Sequence, residues 1–142
     1  MNLSDNCCQN LSHKIVQKEE NKKTFRIKNN NQKTITVCRV DGCLIKGDEI
    51  KCDFMFVVEQ EVLFLVEMKG GDHVHALRQI ITSGEVLKIS NFAGLKKSAI
   101  VGSPSPKAAS SYQNEQVKLA KRFKAIGLDF PAKKNNLVEV CI

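Results

Sequence analysis

Residues 52–70 read CDFMFVVEQEVLFLVEMKG. Two apolar runs flank the polar tripeptide EQE, the pattern of two strands joined by a tight turn. If the turn is centred on Gln60, Asp53 falls opposite Glu67, with Cβ atoms about 4.5–5.5 Å apart on one face. Side chains alternate along a strand with a period of about 2, so Lys69 points the same way as Glu67. A slip of one residue would send Asp53 to the other face, so the position of the turn decides whether the three side chains meet.

Two carboxylates directly opposite one another repel, and a cation between them is a physical reason for the pattern to persist. Hard oxygen ligands suit Mg²⁺ or Mn²⁺, which retain several waters and bridge to phosphate. A lysine ammonium beside such an ion can orient water or stabilise negative charge developing on a phosphoryl oxygen. Asp53, Glu67 and Lys69 are thus a workable hydrolytic centre for phosphodiesters. The plainer alternative is a solvated strand end at which Lys69 pairs with Glu67 in water.

Outward from the hairpin, Leu11, Ile15 and Val16 have helical spacing and predict an amphipathic helix over residues 5–20, capped by Ser4 or Asp5. FRI and ITVCRV read as strands, the second ending at the turn signal Asp41-Gly42. After Gly70-Gly71, Asp72 can cap a helix over about residues 73–90, with Val74, Leu77, Ile80 or Ile81, and Leu87 inward. Gly84 in its middle implies close packing or a bend. KKSAIVG is a short strand, and a basic helix runs from Ser110 or Ser111 to about residue 126, with Leu119, Phe123 and Ile126 as its stripe and Gly127 as its stop. LVEVCI reads as a last edge strand. The expectation is an α/β fold, a mixed sheet flanked by helices, in one domain spanning residues 1–142.

A formal net charge of +7 favours a polyanionic partner, nucleic acid before an acidic membrane. With no Trp and one Tyr, base-stacking platforms are scarce, and backbone-phosphate contact is the expected mode. No apolar run reaches transmembrane length. The N-terminal MNLSDNCCQNLSHKI lacks a basic segment followed by an apolar one, so the expected location is cytoplasmic, with the six cysteines reduced. Cys38, Cys43 and Cys52 lack a close Cys-x-x-Cys pair and read as small buried hydrophobes rather than zinc ligands. The adjacent Cys7-Cys8 pair names no partner.

The Asp53…Glu67-x-Lys69-Gly70 run, followed by Ala-x-x-Gln in HALRQI, resembles the PD-(D/E)XK nuclease superfamily, which includes restriction endonucleases and archaeal Holliday junction resolvases. It is most similar to a group of short prokaryotic nuclease-like proteins. The resemblance implies a restriction-endonuclease-like core of helix, three strands, helix and strand over about residues 5–102, followed by the basic helix and tail. It implies a Mg²⁺- or Mn²⁺-dependent endonuclease acting on DNA in preference to RNA, with Asp53 and Glu67 as metal ligands, Lys69 as the active-site lysine and Gln79 beside the site. It also implies a homodimer. Cys52 stands where the family's proline is usual, and Met68 where Val, Ile or Leu is common. Many members add a carboxylate from the first helix, for which Glu19 and Glu20 are available without a clear alignment. His73, His75, Arg78, Glu49 and Asp41 are further candidates for the site or for phosphate, each with an ordinary solvated reading. The rival function is a non-catalytic nucleic-acid- or protein-binding partner that keeps the fold; a scaffold unrelated to nucleic acid would leave the triad a coincidence.

Overall fold

A computed structural model describes residues 6–68, 72–103 and 110–142. In chain order the elements are β1 (Cys8–Leu11), β2 (Ile15–Glu20), β3 (Lys23–Lys28), β4 (Ile35–Arg39), β5 (Phe54–Val58), β6 (Val62–Glu67), α1 (His73–Val86), β7 (Leu95–Gly102), α2 (Ser110–Ala125), β8 (Ala132–Asn135) and β9 (Leu137–Cys141). The hairpin is centred on Gln60: β5 and β6 pair antiparallel from Phe54↔Val66 to Val58↔Val62. Both strands are buried throughout because both faces of their sheet are covered.

The main sheet has six strands in the order β1-β4-β5-β6-β7-β8. Its first four members are antiparallel, while β6, β7 and β8 run parallel and are joined by α1 and α2. Met55, Val57, Leu63, Leu65 and Ile100 pack with Val74, Leu77, Ile80 and Ile81 of α1 and with Leu119 and Phe123 of α2. On the other face lies a three-stranded sheet, β2-β3-β9. There Phe25 sits 4.9 Å from the Phe56 ring and 5.6 Å from Phe64, centroid to centroid, among Val16, Ile27, Val66, Val101 and Val138. The architecture is therefore mixed α/β, with helices, a large sheet and a small sheet in three layers.

The N-terminal helix expected over residues 5–20 is not formed by the described residues of that stretch, 6–20, which hold β1 and β2 instead. Leu11, Ile15 and Val16 fit a helical stripe, yet Ile15 is 54% exposed while its neighbour Val16 is 1% exposed. That is strand alternation, enforced by pairing β1 with β4 and β2 with β3. Asn21 and Lys22, with φ of 49° and 63°, make the two-residue turn between β2 and β3. The C-terminal β9 pairs parallel with β3, and β8 extends the main sheet, a strand that the exposed AKKN gave no reason to expect.

The cysteine expectation is also corrected. Cys7 bonds Cys43 and Cys8 bonds Cys38, leaving Cys52 and Cys141 as free thiols. Cys8 and Cys38 are direct cross-strand partners in the β1–β4 ladder, so pairing alone brings them together.

Two glycines report close packing. A Cβ on Gly84 would lie 3.0–3.3 Å from side-chain carbons of Ile126, Ile89 and Leu65, so the residue serves packing between α1 and its neighbours within an unbroken helix. A Cβ on Gly94 would meet the Glu61 carbonyl oxygen at 2.4 Å and that of Gln60 at 2.7 Å. Both are backbone atoms of the β5–β6 turn, and the Leu95 N–H bonds the Glu61 carbonyl at 2.9 Å. Gly94→Ala must displace that turn, and a loss of about 1–3 kcal/mol is expected, read as a lower urea midpoint with the slope unchanged.

A candidate metal centre at the end of the main sheet

β6 ends at Glu67, whose side chain follows Leu63 and Leu65 onto the helix face and is wholly buried, at 0% exposure. Asp53 precedes β5 by one residue at a bend in the chain. Its N–H bonds the Val66 carbonyl at 3.2 Å, and its carbonyl accepts the Val40 N–H at 2.9 Å. The bend turns the half-buried carboxylate along the end of β6, where Oδ2 accepts the Met68 N–H at 2.8 Å. One oxygen of Asp53 is thereby fixed by the chain that carries Glu67, through a charge-assisted hydrogen bond. Lys69, the third member of the triad, lies outside the described residues.

The helix side of the site is built by α1. Asp72 caps the helix by accepting the His75 N–H at 3.1 Å. Gln79 is buried; its Nε2 donates to the Lys51 carbonyl at 3.2 Å, and its Oε1 has no hydrogen-bond partner among the described residues. One turn on, Ser83 donates to the Gln79 carbonyl at 2.7 Å and accepts the Cys52 N–H at 2.7 Å. These bonds tie α1 to the segment leading into Asp53. Burial pushes the Cys52 thiol up to about 12, with the Glu67 and Asp53 carboxylates adding to the rise against the Ser83 hydrogen bond. The thiol therefore stays protonated, and the two carboxylates share its neighbourhood.

Glu20, at the end of β2, is brought toward the same sheet end from the opposite layer. Burial raises its pKa first, then the charge of Asp53, with Asp41 adding and Arg39 and Lys18 opposing. Val16, Lys18 and Glu20 alternate inward while Glu19 is exposed. A groove of about 420 Å³ runs beside them between the layers, lined in part by Lys18, Glu20, Arg39 and Phe54. Asp41 is 3.9 Å from the Lys51 ammonium. Glu49 is exposed, and Arg78 is engaged by Glu115 of α2 in an ion pair. His73 is half-buried, with a pKa lowered by burial and then by the Lys133 charge, against Asp72.

The two carboxylates beside Cys52 are hard oxygen donors, the kind that suits an ion of the Mg²⁺ or Mn²⁺ type held by few protein ligands and several waters. Among the described residues no three His, Cys, Asp or Glu side chains gather around one metal position. The inward approach of Glu20 was open to sequence reasoning only through the alternation of IVQKEE; the Ser83 bridge carried no local signal. Among the described residues no helix is long and apolar enough to cross a membrane. No protein-family model matches the chain, and no match was found among curated proteins or solved structures.

Proposed function

We propose that this chain is a metal-dependent nuclease of the PD-(D/E)XK, restriction-endonuclease-like type, hydrolysing phosphodiesters of DNA in preference to RNA. The observation that supports the reading is that Asp53, held by the Met68 N–H, and the buried Glu67 both act on the Cys52 thiol at one sheet end. The succession β4, β5, β6, α1, β7 supports the reading, since its order of three strands, helix and strand is the one such a core would have, although strands stand where the family has its first helix.

Asp53 and Glu67 would hold the cation. A divalent ion bound there would supply Lewis-acid polarisation of the phosphoryl oxygen and a water of lowered pKa. Lys69 is assigned to the negative charge that develops on the phosphoryl group. The surplus of basic residues, +7 overall, draws the polyanion to the protein. Action as a homodimer would allow both strands of a duplex to be cut.

The test is cleavage of labelled single-stranded, duplex and branched DNA, and of RNA, by purified protein with Mn²⁺ or Mg²⁺. Cutting that disappears in EDTA and in Lys69→Ala is expected. The rival is a binding partner that keeps the fold. Equal DNA binding with and without chelator, and no cutting of any substrate, would put that rival in its place.

A further inference from the structure

The groove of about 420 Å³ between the layers has charged walls and an aromatic floor. Arg39 on β4 pairs directly with Phe54 on β5, and Gln9 on β1 with Val37 on β4, so these four side chains share the face of the main sheet that meets the small one. Lys18 reaches across from β2, its ammonium 5.6 Å from the centre of the Phe54 ring. Cys7 and Cys8 belong to the wall, and their bridges to Cys43 and Cys38 pin it to β4 and the turn beyond. The groove is thus preformed, and a ligand need not order β1 to enter it. Phe54 follows Asp53 in the chain, so the groove lies at the sheet end of the candidate metal centre.

Among the described residues neither Lys18 nor Arg39 is held in an ion pair, whereas Arg26, Lys33, Arg78 and Arg122 each are. Both act instead at longer range on Glu20, lowering a pKa that burial and the Asp53 charge raise. Glu19 also lines the groove and is exposed. Two cations over a nonpolar floor, with no carboxylate in contact, suit an anionic group entering from solvent. The walls limit its size. Packed sheets lie about 10 Å apart, less than the roughly 12 Å of a duplex's major groove alone, so double-stranded nucleic acid does not fit. A volume of about 420 Å³ is within the range, about 300–1,000 Å³, of sites that hold a small organic molecule, and a nucleotide unit is of that size.

We propose that this groove binds an unpaired strand of nucleic acid by its phosphates, through Lys18 and Arg39, beside the sheet end that carries Asp53. That the substrate is DNA with a single-stranded segment rests on the nuclease reading; the binding itself does not. Contacts to phosphate position a strand without reading its bases. Phe54, only 5% exposed beneath Lys18, leaves little face for a base to stack on, so the charges carry the binding.

The experiment is the binding of labelled oligodeoxythymidylate and of a blunt hairpin duplex in EDTA across a salt series, beside the cleavage assay. The parent is compared with Lys18→Gln and Arg39→Gln, which lose the charge and keep much of the stem, and with the control Lys134→Gln on exposed β8. The single strand should bind the parent more tightly than the duplex does. Each lost phosphate contact lowers the salt slope of log K for a single strand by about 0.7. The advantage of the parent over Lys18→Gln or Arg39→Gln should therefore shrink about threefold between 50 and 200 mM salt, and Lys134→Gln should change less than either. Glu20→Gln, which removes the carboxylate that both cations face, should bind the strand more tightly than the parent. Equal losses in Lys18→Gln, Arg39→Gln and Lys134→Gln, or a duplex bound as tightly as the strand, would mean diffuse charge and overturn the groove. Displacement of the strand by an equal concentration of thymidine monophosphate would make a free nucleotide the occupant and overturn the strand. If the parent cuts DNA while Lys18→Gln and Arg39→Gln bind with unaltered affinity and slope, the groove falls and the nuclease stands. If nothing is cut but strand binding depends on both cations, the nuclease falls and the groove stands. No binding of the strand by the parent at low salt ends the groove whatever is cut.

Discussion

Asp53→Asn is expected to reduce metal-dependent DNA cleavage by about a hundred- to a thousandfold, the usual consequence of removing one electrostatic element from a preorganised centre. The substitution is chosen because it separates chemistry from folding. The Asp53 Oδ2 accepts the N–H of Met68, a residue only 2% exposed, and the amide oxygen of Asn can still accept that bond. Asp53→Ala would instead leave a buried donor unsatisfied, at about 1–3 kcal/mol, and any loss of activity would be ambiguous. A second readout needs no turnover. An ion that binds only the folded chain stabilises it by about 2.7 kcal/mol at a hundred times its dissociation constant. Mn²⁺ should therefore raise the melting temperature of the parent and leave that of Asp53→Asn and Glu67→Gln unchanged. An equal rise in all three would place the ion elsewhere and remove Asp53 and Glu67 from the centre.

The hairpin was legible in the sequence because register there follows from local facts. A turn at Gln60 and two uninterrupted apolar runs leave one pairing that buries every residue of both strands. Helix α1 was legible for a similar reason, since Asp72, Val74, Leu77, Ile80 and Ile81 carry both its cap and its buried face. The N-terminal segment was not. CQNLSHKIVQKEE contains apolar residues at spacings that serve a helix or two short strands, and only distant partners decide between them: Cys38 for Cys8, Ile27 for Val16. Strand β8 escaped because all four of its residues are exposed and carry no alternation. The same distinction divides the site. Asp53 and Glu67 are related through one turn, whereas the Asp53 charge acts on Glu20 of another sheet and the Lys133 charge acts on His73 from the far end of the chain. Sequence spacing carries no information about such meetings.

Opening the two disulfides should cost about 3–5 kcal/mol of folding stability. A single crosslink closing a loop of 30 residues removes about 3.6 kcal/mol of conformational entropy from the unfolded chain. The second, Cys7–Cys43, encloses nearly the same stretch with a separation of 36, so its further effect is small and the two do not add. The loss would fall on β1, an edge strand paired only with β4 in the main sheet, and its departure would expose the β4 ladder to association with other chains. Rearrangement into Cys52 is disfavoured: the thiolate is the attacking species, and burial holds that thiol at about 12. In urea, the oxidised protein should therefore keep a distinctly higher midpoint than the reduced protein or Cys8→Ala/Cys38→Ala. Thiol titration of the unreduced, denatured chain should find two free groups, Cys52 and Cys141. Six free thiols and coincident midpoints would mean that Cys7, Cys8, Cys38 and Cys43 are not bridged. The consequence reaches beyond stability, because a reducing compartment would hold the protein in its weaker form.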